Sequence, residues 1–401
     1  MQTRLAPEFQ NSAEGREADA ILRSCVHCGF CTAVCPTYNL LGDELDSPRG
    51  RIYLIKGLLE GAEVGVETQR HLDRCLTCRA CETACPSGVQ FARLADIGRA
   101  EVEKRVPRPL PQRMTRYLLR WVITSTPRFS ILLGAGRLLR PLLPQRLQRL
   151  VPIAKSAGAW PAPRHARRVL VPAGCVQPAL EPGIDSALAR LLDRHGISAV
   201  HIASGCCGAV SQHLAAPDEA LQRMRANIDA WWPHVENGAE AIVETSSACG
   251  VMVREYGHLL RRDSDYAEKA ARISALCRDP AELLAALPLA PLGKGRRIAF
   301  QAPCSLQNGL RLEGRVEGIL HGVGFELLPV EEPAMCCGSA GTYSVLQPAL
   351  SSALLTRKLG NLGKYTPELI ATANIGCLAY LQRGSKVPVV HWLELLEAPP
   401  R

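Results

Sequence analysis

The strongest constraint on this chain is a cysteine pattern written twice. Cys25-Val-His-Cys28-Gly-Phe-Cys31-Thr-Ala-Val-Cys35-Pro36 and Cys75-Leu-Thr-Cys78-Arg-Ala-Cys81-Glu-Thr-Ala-Cys85-Pro86 share the spacing C-x2-C-x2-C-x3-C-P. Thiolates at i, i+3 and i+6 of a tight loop converge on one [4Fe-4S] cube, whereas the cysteine before proline turns away toward a second cluster. The spacing therefore assigns Cys25, Cys28, Cys31 and Cys85 to one cluster and Cys75, Cys78, Cys81 and Cys35 to the other. Zinc needs only two C-x2-C pairs and would leave Cys31, Cys35, Cys81 and Cys85 idle. His27 lies inside the first run, but with four thiolates at hand it reads as a surface histidine rather than a ligand.

The chain has 401 residues, 17 of them cysteine. Met1 to Glu17 contains no apolar run able to serve as a secretory signal, so a reducing cytoplasmic setting is expected, with thiols used for metal or redox chemistry rather than disulfides. Charge-free stretches such as Pro333 to Thr356 are broken by Gly, Pro, Ser and a Cys pair, which leaves only peripheral contact with the inner face of the cell membrane. A composition of 47% hydrophobic and 21% charged residues excludes disordered, collagen-like and small disulfide-stapled classes and suits two or three domains. Between the runs, Ser47-Pro48 starts a helix carrying Ile52, Ile55, Leu58 and Leu59, and Gly61 ends it. The clusters are thus expected in a mostly helical ferredoxin domain, residues 1–98.

A second duplication holds the other cysteines. Cys175, the pair Cys206-Cys207 and Cys249 recur as Cys304, Cys336-Cys337 and Cys377 at offsets of 128 to 130 residues, the mark of a repeated structural unit. In each unit short apolar runs alternate with helical segments: strands at Arg168 to Pro172, Val200 to Ala203 and Ala241 to Thr245 answer Arg297 to Gln301, Phe325 to Val330 and Leu369 to Thr372. Helices are expected at Ile184 to His195 and Leu312 to His321. This predicts a parallel sheet with four thiolates gathered at its carboxyl edge, where such sheets bind ligands. The repeats span 168–290 and 291–401, and their thiolates are candidate ligands for a further Fe-S cluster or zinc. Cys277 is left over as an ordinary small side chain. The fold class is α/β with an α-helical N-terminal domain.

Between these parts, residues 99–167 form a basic, Pro-rich connector. From Arg99 to Arg168 sixteen Lys and Arg face only Glu101 and Glu103, a local excess of fourteen charges in a chain whose net charge is +9. Its apolar residues (Tyr117, Leu118, Trp121, Val122; Ile131, Leu132, Leu133) interleave with arginines, as an interfacial helix requires. Arg113, Arg116, Arg120 and Arg128 are expected to face an anionic membrane or an acidic partner. Nucleic acid is disfavoured because the basic residues alternate with Leu and Pro.

Gly174-Cys-Val-Gln-Pro178, Asn227-Ile-Asp-Ala-Trp-Trp-Pro233, Glu255-Tyr-Gly-His258, Cys336-Cys-Gly-Ser-Ala-Gly-Thr-Tyr343, Thr372-Ala-Asn-Ile-Gly-Cys377 and His391-Trp392, with the cysteine runs, resemble the iron-sulfur subunits of bacterial glycolate oxidase (glycolate dehydrogenase). These pair a two-cluster ferredoxin with two cysteine-rich CCG domains. The resemblance implies an oxidoreductase subunit that relays electrons from FAD-containing subunits, where glycolate becomes glyoxylate, to an acceptor such as quinone. The same architecture serves lactate and glycerol-3-phosphate dehydrogenase complexes, and a zinc-binding scaffold is the non-enzymatic alternative. No G-x-G-x-x-G follows a strand, so no FAD is expected on this chain and no catalytic residue is named. Heterodisulfide reductase subunits of the wider group end each repeat with C-x2-C; here Ser246 and Asn374 stand at the first of those positions, which argues against five-thiolate clusters.

Overall fold

The computed structural model describes residues 1–144, 148 and 151–397. Parts of the expected connector, with Arg146 and Arg149, and the last four residues of the expected second repeat lie outside them. The N-terminal unit is helical. Helix α1 (Ala13–Ser24) is capped by Ser12, whose hydroxyl accepts from Gly15 N. Helix α2 (Pro48–Leu59) starts as the Ser-Pro pair demands: Ser47 Oγ accepts from Gly50 N at 2.9 Å, and Pro48 occupies a first-turn position where a missing N–H costs nothing. With α3 (Val66–Asp73) and α4 (Phe91–Arg105) it buries Leu22, Ile55, Leu58, Leu59 and Leu94 in one core.

Helix α4 runs through residue 98, so the domain boundary drawn there is corrected. No helix breaker occurs before Pro107. Gly98 is a packing glycine at which a Cβ would lie 2.7 Å from Ile55 Cγ1. The unit closes at Val106, buried, whose carbonyl accepts from Gln69 Nε2 at 3.0 Å.

The basic segment is also more ordered than a connector. Its prolines initiate helices rather than interrupt them: Pro109 and Pro111 open α5 (Leu110–Ile123) and Pro127 opens α6 (Thr126–Leu139). Nor is its positive charge all external. Arg108 and Arg116 are buried and both pair with Asp73, at 2.6 and 2.8 Å, while Arg120 pairs with Glu219 of the first repeat at 3.1 Å. Arg116 and Arg120 are thereby removed from any outward-facing set. Arg113 and Arg128 remain exposed, Arg128 stacked 4.4 Å over the Trp121 ring. The outer face carries Leu110, Tyr117, Ile131 and Leu138, the last 81% exposed.

Each repeat is a four-stranded parallel sheet. In the first, β1 (Arg167–Pro172) lies between β2 (Ile197–Ile202) and β3 (Ala241–Val243), with β4 (Cys277–Arg278) outside β3; in the second, β5 (Arg297–Gln301), β6 (Glu326–Leu327), β7 (Leu369–Thr372) and β8 (Val389–His391) repeat that order. Helices α7 (Gly183–Arg194), α8 (Pro217–Glu236), α9 (Ser247–Arg254) and α10 (Ala267–Leu276) cover the first sheet. Helices α11 (Arg315–Gly322), α12 (Pro348–Gly363) and α13 (Ile375–Gly384) cover the second. The fourth strands are two and three residues long. Cys277 belongs to β4 and is buried in the core beneath α9.

The glycine after each cysteine pair holds the chain in its turn. Gly208 and Gly338 have φ of 96° and 89°, a region that costs other residues about 1–2 kcal/mol. A Cβ at Gly208 would meet Ala220 O at 3.2 Å, and one at Gly338 would meet Ser351 O at 2.6 Å. Both alanine variants should therefore lower the denaturation midpoint, Gly338→Ala by the larger amount, since only there must backbone move. Equal midpoints for the two variants would contradict the difference in contact.

Candidate metal centres

In both N-terminal runs the backbone turns left-handed at the same two places: His27 and Gly29 in the first (φ 57° and 85°), Thr77 and Arg79 in the second (φ 52° and 58°). Three of these four residues have side chains that disfavour such angles, and strain of that kind persists where the surroundings over-determine it. Successive turns of this sort aim N–H groups inward, as anion-binding concavities do; Thr77 N donates to Cys75 Sγ at 3.4 Å.

The chain brings Cys25, Cys28, Cys31 and Cys85 around one small cavity and Cys35, Cys75 and Cys78 around its neighbour, with Cys81 lining both. Burial, then the charges of Cys25, Cys28 and Cys85, pushes the Cys31 thiol up to about 11. Burial and the surrounding thiols likewise drive Cys78 and Cys81 well above the ordinary range. As protonated groups these thiols would waste their burial; as ligands of a metal cluster they are compensated. The donor sets fit iron–sulfur cubes. His27 is partly exposed, its ring 4.6 Å from that of Tyr53, and among the described residues neither of its nitrogens has a hydrogen-bond partner.

The second set has a charged wall that spacing did not reveal. Arg51, 1% exposed, reaches Cys35 Sγ at 3.9 Å and Thr37 Oγ1 at 3.1 Å, and pairs with Asp46 at 3.2 Å. Asp46, fully buried, also binds His71 at 3.0 Å and Arg74 at 2.7 Å. Arg51 lies on the apolar stripe of α2, four residues before Ile55, and a cation on a core-facing stripe is the signal that could have found it.

In the repeats the thiols arrive from three strand ends. Cys175 follows β1 and the Cys206-Cys207 pair follows β2. Cys249 stands in the first turn of α9, where the helix dipole favours a thiolate. The thiols form a line of neighbours, Cys175, Cys206, Cys207 and Cys249, each acting electrically on the next. In the second repeat the line is Cys304, Cys336, Cys337, Cys377, with Cys337 and Cys377 sulfurs 3.2 Å apart. Among the described residues every cysteine is free.

Around these lines the repeats differ. In the first, Asn227 takes the Gly205 N–H at 2.8 Å and donates to Cys206 O and to Tyr256 Oη, whose hydroxyl reaches Cys207 O at 3.0 Å. Two buried carboxyls lie near: burial pushes Asp185 up to about 7, and burial with the charges of Cys249 and Asp185 pushes Glu244 well up. In the second, Ser351 and Tyr380 brace the turn instead, and Lys358 lies buried beside the thiols. Ser246 and Asn374, the positions without cysteine, face one another across the repeats, Asn374 Nδ2 donating to Ser246 Oγ at 3.3 Å while its Oδ1 caps α13.

The four sets are not isolated. Cys78 packs with Cys304 and Cys336 in one cluster, and Asn308 ties them by donating to Cys78 O while accepting from Thr83, both at 3.0 Å. Arg79 and Arg93 bind Glu255, and Glu17 of α1 takes His258 at 2.7 Å, so the helical unit also rests on the first repeat. Burial works to raise the Glu17 carboxyl, but the hydrogen bond and charge of His258 with those of Arg261 hold it at about 2. A cavity of about 660 Å³ between the three units is lined by all eight repeat cysteines and Cys78.

Comparison with known proteins accords with this division. Residues 21–89 match the 4Fe-4S dicluster domain and residues 169–254 and 298–382 the cysteine-rich (CCG) domain. The chain is 52% identical over 402 residues to the glycolate oxidase iron-sulfur subunit of Escherichia coli K12, covering 99% of this chain and 98% of that one. It is 29% identical to the probable glycolate oxidase iron-sulfur subunit of Bacillus subtilis 168, covering 97% and 96%. A hypothetical protein from Helicobacter pylori shares the fold, with a TM-score of 0.57 and 8% identity over 97% of this chain and 72% of that one.

Because Cys35 faces Cys75, Cys78 and Cys81, Cys35→Ser should alter the electron paramagnetic resonance (EPR) signal of that set and spare the signal of the Cys25 set. Loss of the Cys25 signal instead would reverse the grouping.

Proposed function

Since the chain belongs to the family of glycolate oxidase iron-sulfur subunits, we propose that it is the electron relay of a glycolate-oxidising complex. Glycolate would be oxidised to glyoxylate on separate FAD-containing subunits, and the electrons would leave for a quinone. The observation that carries the reading is the contiguity of the thiol sets: from the set with exposed Cys28, to the set of Cys78, to Cys304 and Cys336 beside it. In this reading Cys25, Cys28, Cys31 and Cys85 hold one [4Fe-4S] cluster, Cys35, Cys75, Cys78 and Cys81 the other, and each repeat holds a further Fe-S cluster or zinc. Such clusters pass one electron at a time and need no general base. The chain's part is to keep water from the inner sets, hold their anionic charge against Arg51 and the inward N–H groups, and leave one edge open. Exposed Val26 and Phe30, 67% and 63%, border that edge and suit a protein partner. The end-to-end likeness to the Escherichia coli subunit favours glycolate over the lactate and glycerol-3-phosphate donors that the architecture also serves.

With the FAD-containing subunits and glycolate added anaerobically, the visible Fe-S absorbance of this chain should bleach; the chain alone should bind no flavin and leave glycolate untouched. A single chain that is yellow with FAD or turns glycolate over unaided would sink the proposal.

Peripheral contact with an anionic membrane is proposed for the outer face of α5 and α6. Among the described residues no helix is long and apolar enough to cross a membrane, but Trp121, Ile131 and Leu138 stand exposed beside Arg113 and Arg128. A basic residue at an anionic surface is worth about 1 kcal/mol. Arg113→Gln with Arg128→Gln should weaken flotation with phosphatidylglycerol vesicles, most clearly at low salt, where the charges are least screened; unchanged flotation would reduce this face to solvent.

A further inference from the structure

The duplicated repeats place different side chains at one shared position. Helices α8 and α12 follow the cysteine pairs of their repeats and both open with proline, Pro217 and Pro348. Ten residues beyond it stands Asn227 in the first helix and Lys358 in the second. Both are buried against the turn that carries the cysteine pair, 1% and 0% exposed. Asn227 satisfies neutral backbone groups there. Lys358 donates to the carbonyls of Glu332 and Pro333, at 3.3 and 2.9 Å, which cannot neutralise an ammonium. The carboxylate of Glu332 is held elsewhere, by Arg357 and by Asn361 at 2.9 Å.

A buried cation without an anionic partner is costly enough that it loses its proton or its burial. The carbonyls that hold Lys358 belong to the stretch that leads into Cys336 three residues on; burial pulls its ammonium down, and the charges of Cys337, Cys336, Cys377 and Cys304 oppose that. This is also the set in contact with Cys78 of the helical unit.

We propose that Lys358 is the built-in counter-cation of the thiolate site in the second repeat and makes that site, rather than its twin in the first, the acceptor of electrons from the helical unit. The inference rests on the relay reading. A fixed positive charge favours the state that has gained an electron, with no bond made or broken. In the first repeat Asn227, at the equivalent helix position, supplies no charge, so the same electron is less welcome there.

The test is an anaerobic redox titration of the full chain, followed by EPR, with dithionite as reductant. The signal of the second repeat is identified as the one lost in Cys336→Ser with Cys337→Ser, that of the first as the one lost in Cys206→Ser with Cys207→Ser. Lys358→Met should make the second-repeat site at least about tenfold harder to reduce, about 59 mV for a one-electron couple, with the first-repeat and ferredoxin signals unmoved. Selective loss of the second-repeat metal in this variant would equally support the counter-charge. An unchanged midpoint, or an equal shift in both repeats, would overturn the proposal, as would zinc or no metal on the second repeat of the unaltered chain. If Lys358→Met does not fold, it is combined with Cys336→Ser and Cys337→Ser: recovery of folding supports the charge pairing, and failure to recover overturns it. The relay reading fails separately, if glycolate and the FAD-containing subunits leave the chain oxidised while dithionite reduces it.

Discussion

Gathering anionic sulfur inside a protein is the constraint on which the rest of this structure depends. Sixteen of the seventeen thiols meet in four groups of four, and like charges at such range in a poorly polarisable interior repel strongly. Without a compensating positive charge these sulfurs hold their protons, as the raised thiols of Cys78, Cys81 and Cys304 indicate. The chain supplies positive potential by three routes. Left-handed turns recur in both N-terminal runs, and in the second one aims the Thr77 amide at Cys75 Sγ. Helix starts lie under Cys249 and Cys377. Buried cations, Arg51 and Lys358, add a third in the second N-terminal set and the second repeat.

Duplication explains both the economy and the asymmetry of the fold. Each repeat uses one parallel sheet order, so the loops after its first three strands converge without further design. The glycine after the cysteine pair is needed twice for the same reason, a left-handed turn pressed onto the following helix. Once two copies exist, the residues around the thiols are free to diverge. Ser246 and Asn374 now join the repeats by a hydrogen bond, and one helix position carries a neutral Asn227 in the first repeat and a cationic Lys358 in the second.

The basic segment shows how charge counting misleads when burial is unknown. Its excess reads as a surface field, yet Arg108 and Arg116 are spent on Asp73 and Arg120 on Glu219. Breaking a buried pair such as those on Asp73 from one side costs about 3–5 kcal/mol, so Arg108 and Arg116 hold the segment to the helical unit, while the more exposed Arg120–Glu219 pair adds a weaker tie to the first repeat. What is left outside is a narrower face of aromatic and aliphatic groups with Arg113 and Arg128 among them.

The amino-acid sequence alone determined what is local or periodic. The cysteine spacings, the Ser47-Pro48 helix start, the strand at Leu369–Thr372 and the repeat offset all arise within a few residues or from self-similarity, and they suffice for the helical unit, the parallel sheets and the family. The fourth strands β4 and β8 went unread because β4 continues directly from the end of helix α10 and β8 is preceded by Pro388. Only the tertiary structure decided that the second repeat, through Cys304, Cys336 and Asn308, abuts Cys78, and that Arg51 and Lys358 are buried beside thiols. Those facts depend on how separately folded surfaces meet, hundreds of residues apart in the case of Asn308 and Cys78, and no spacing within either surface encodes which face turns toward the other.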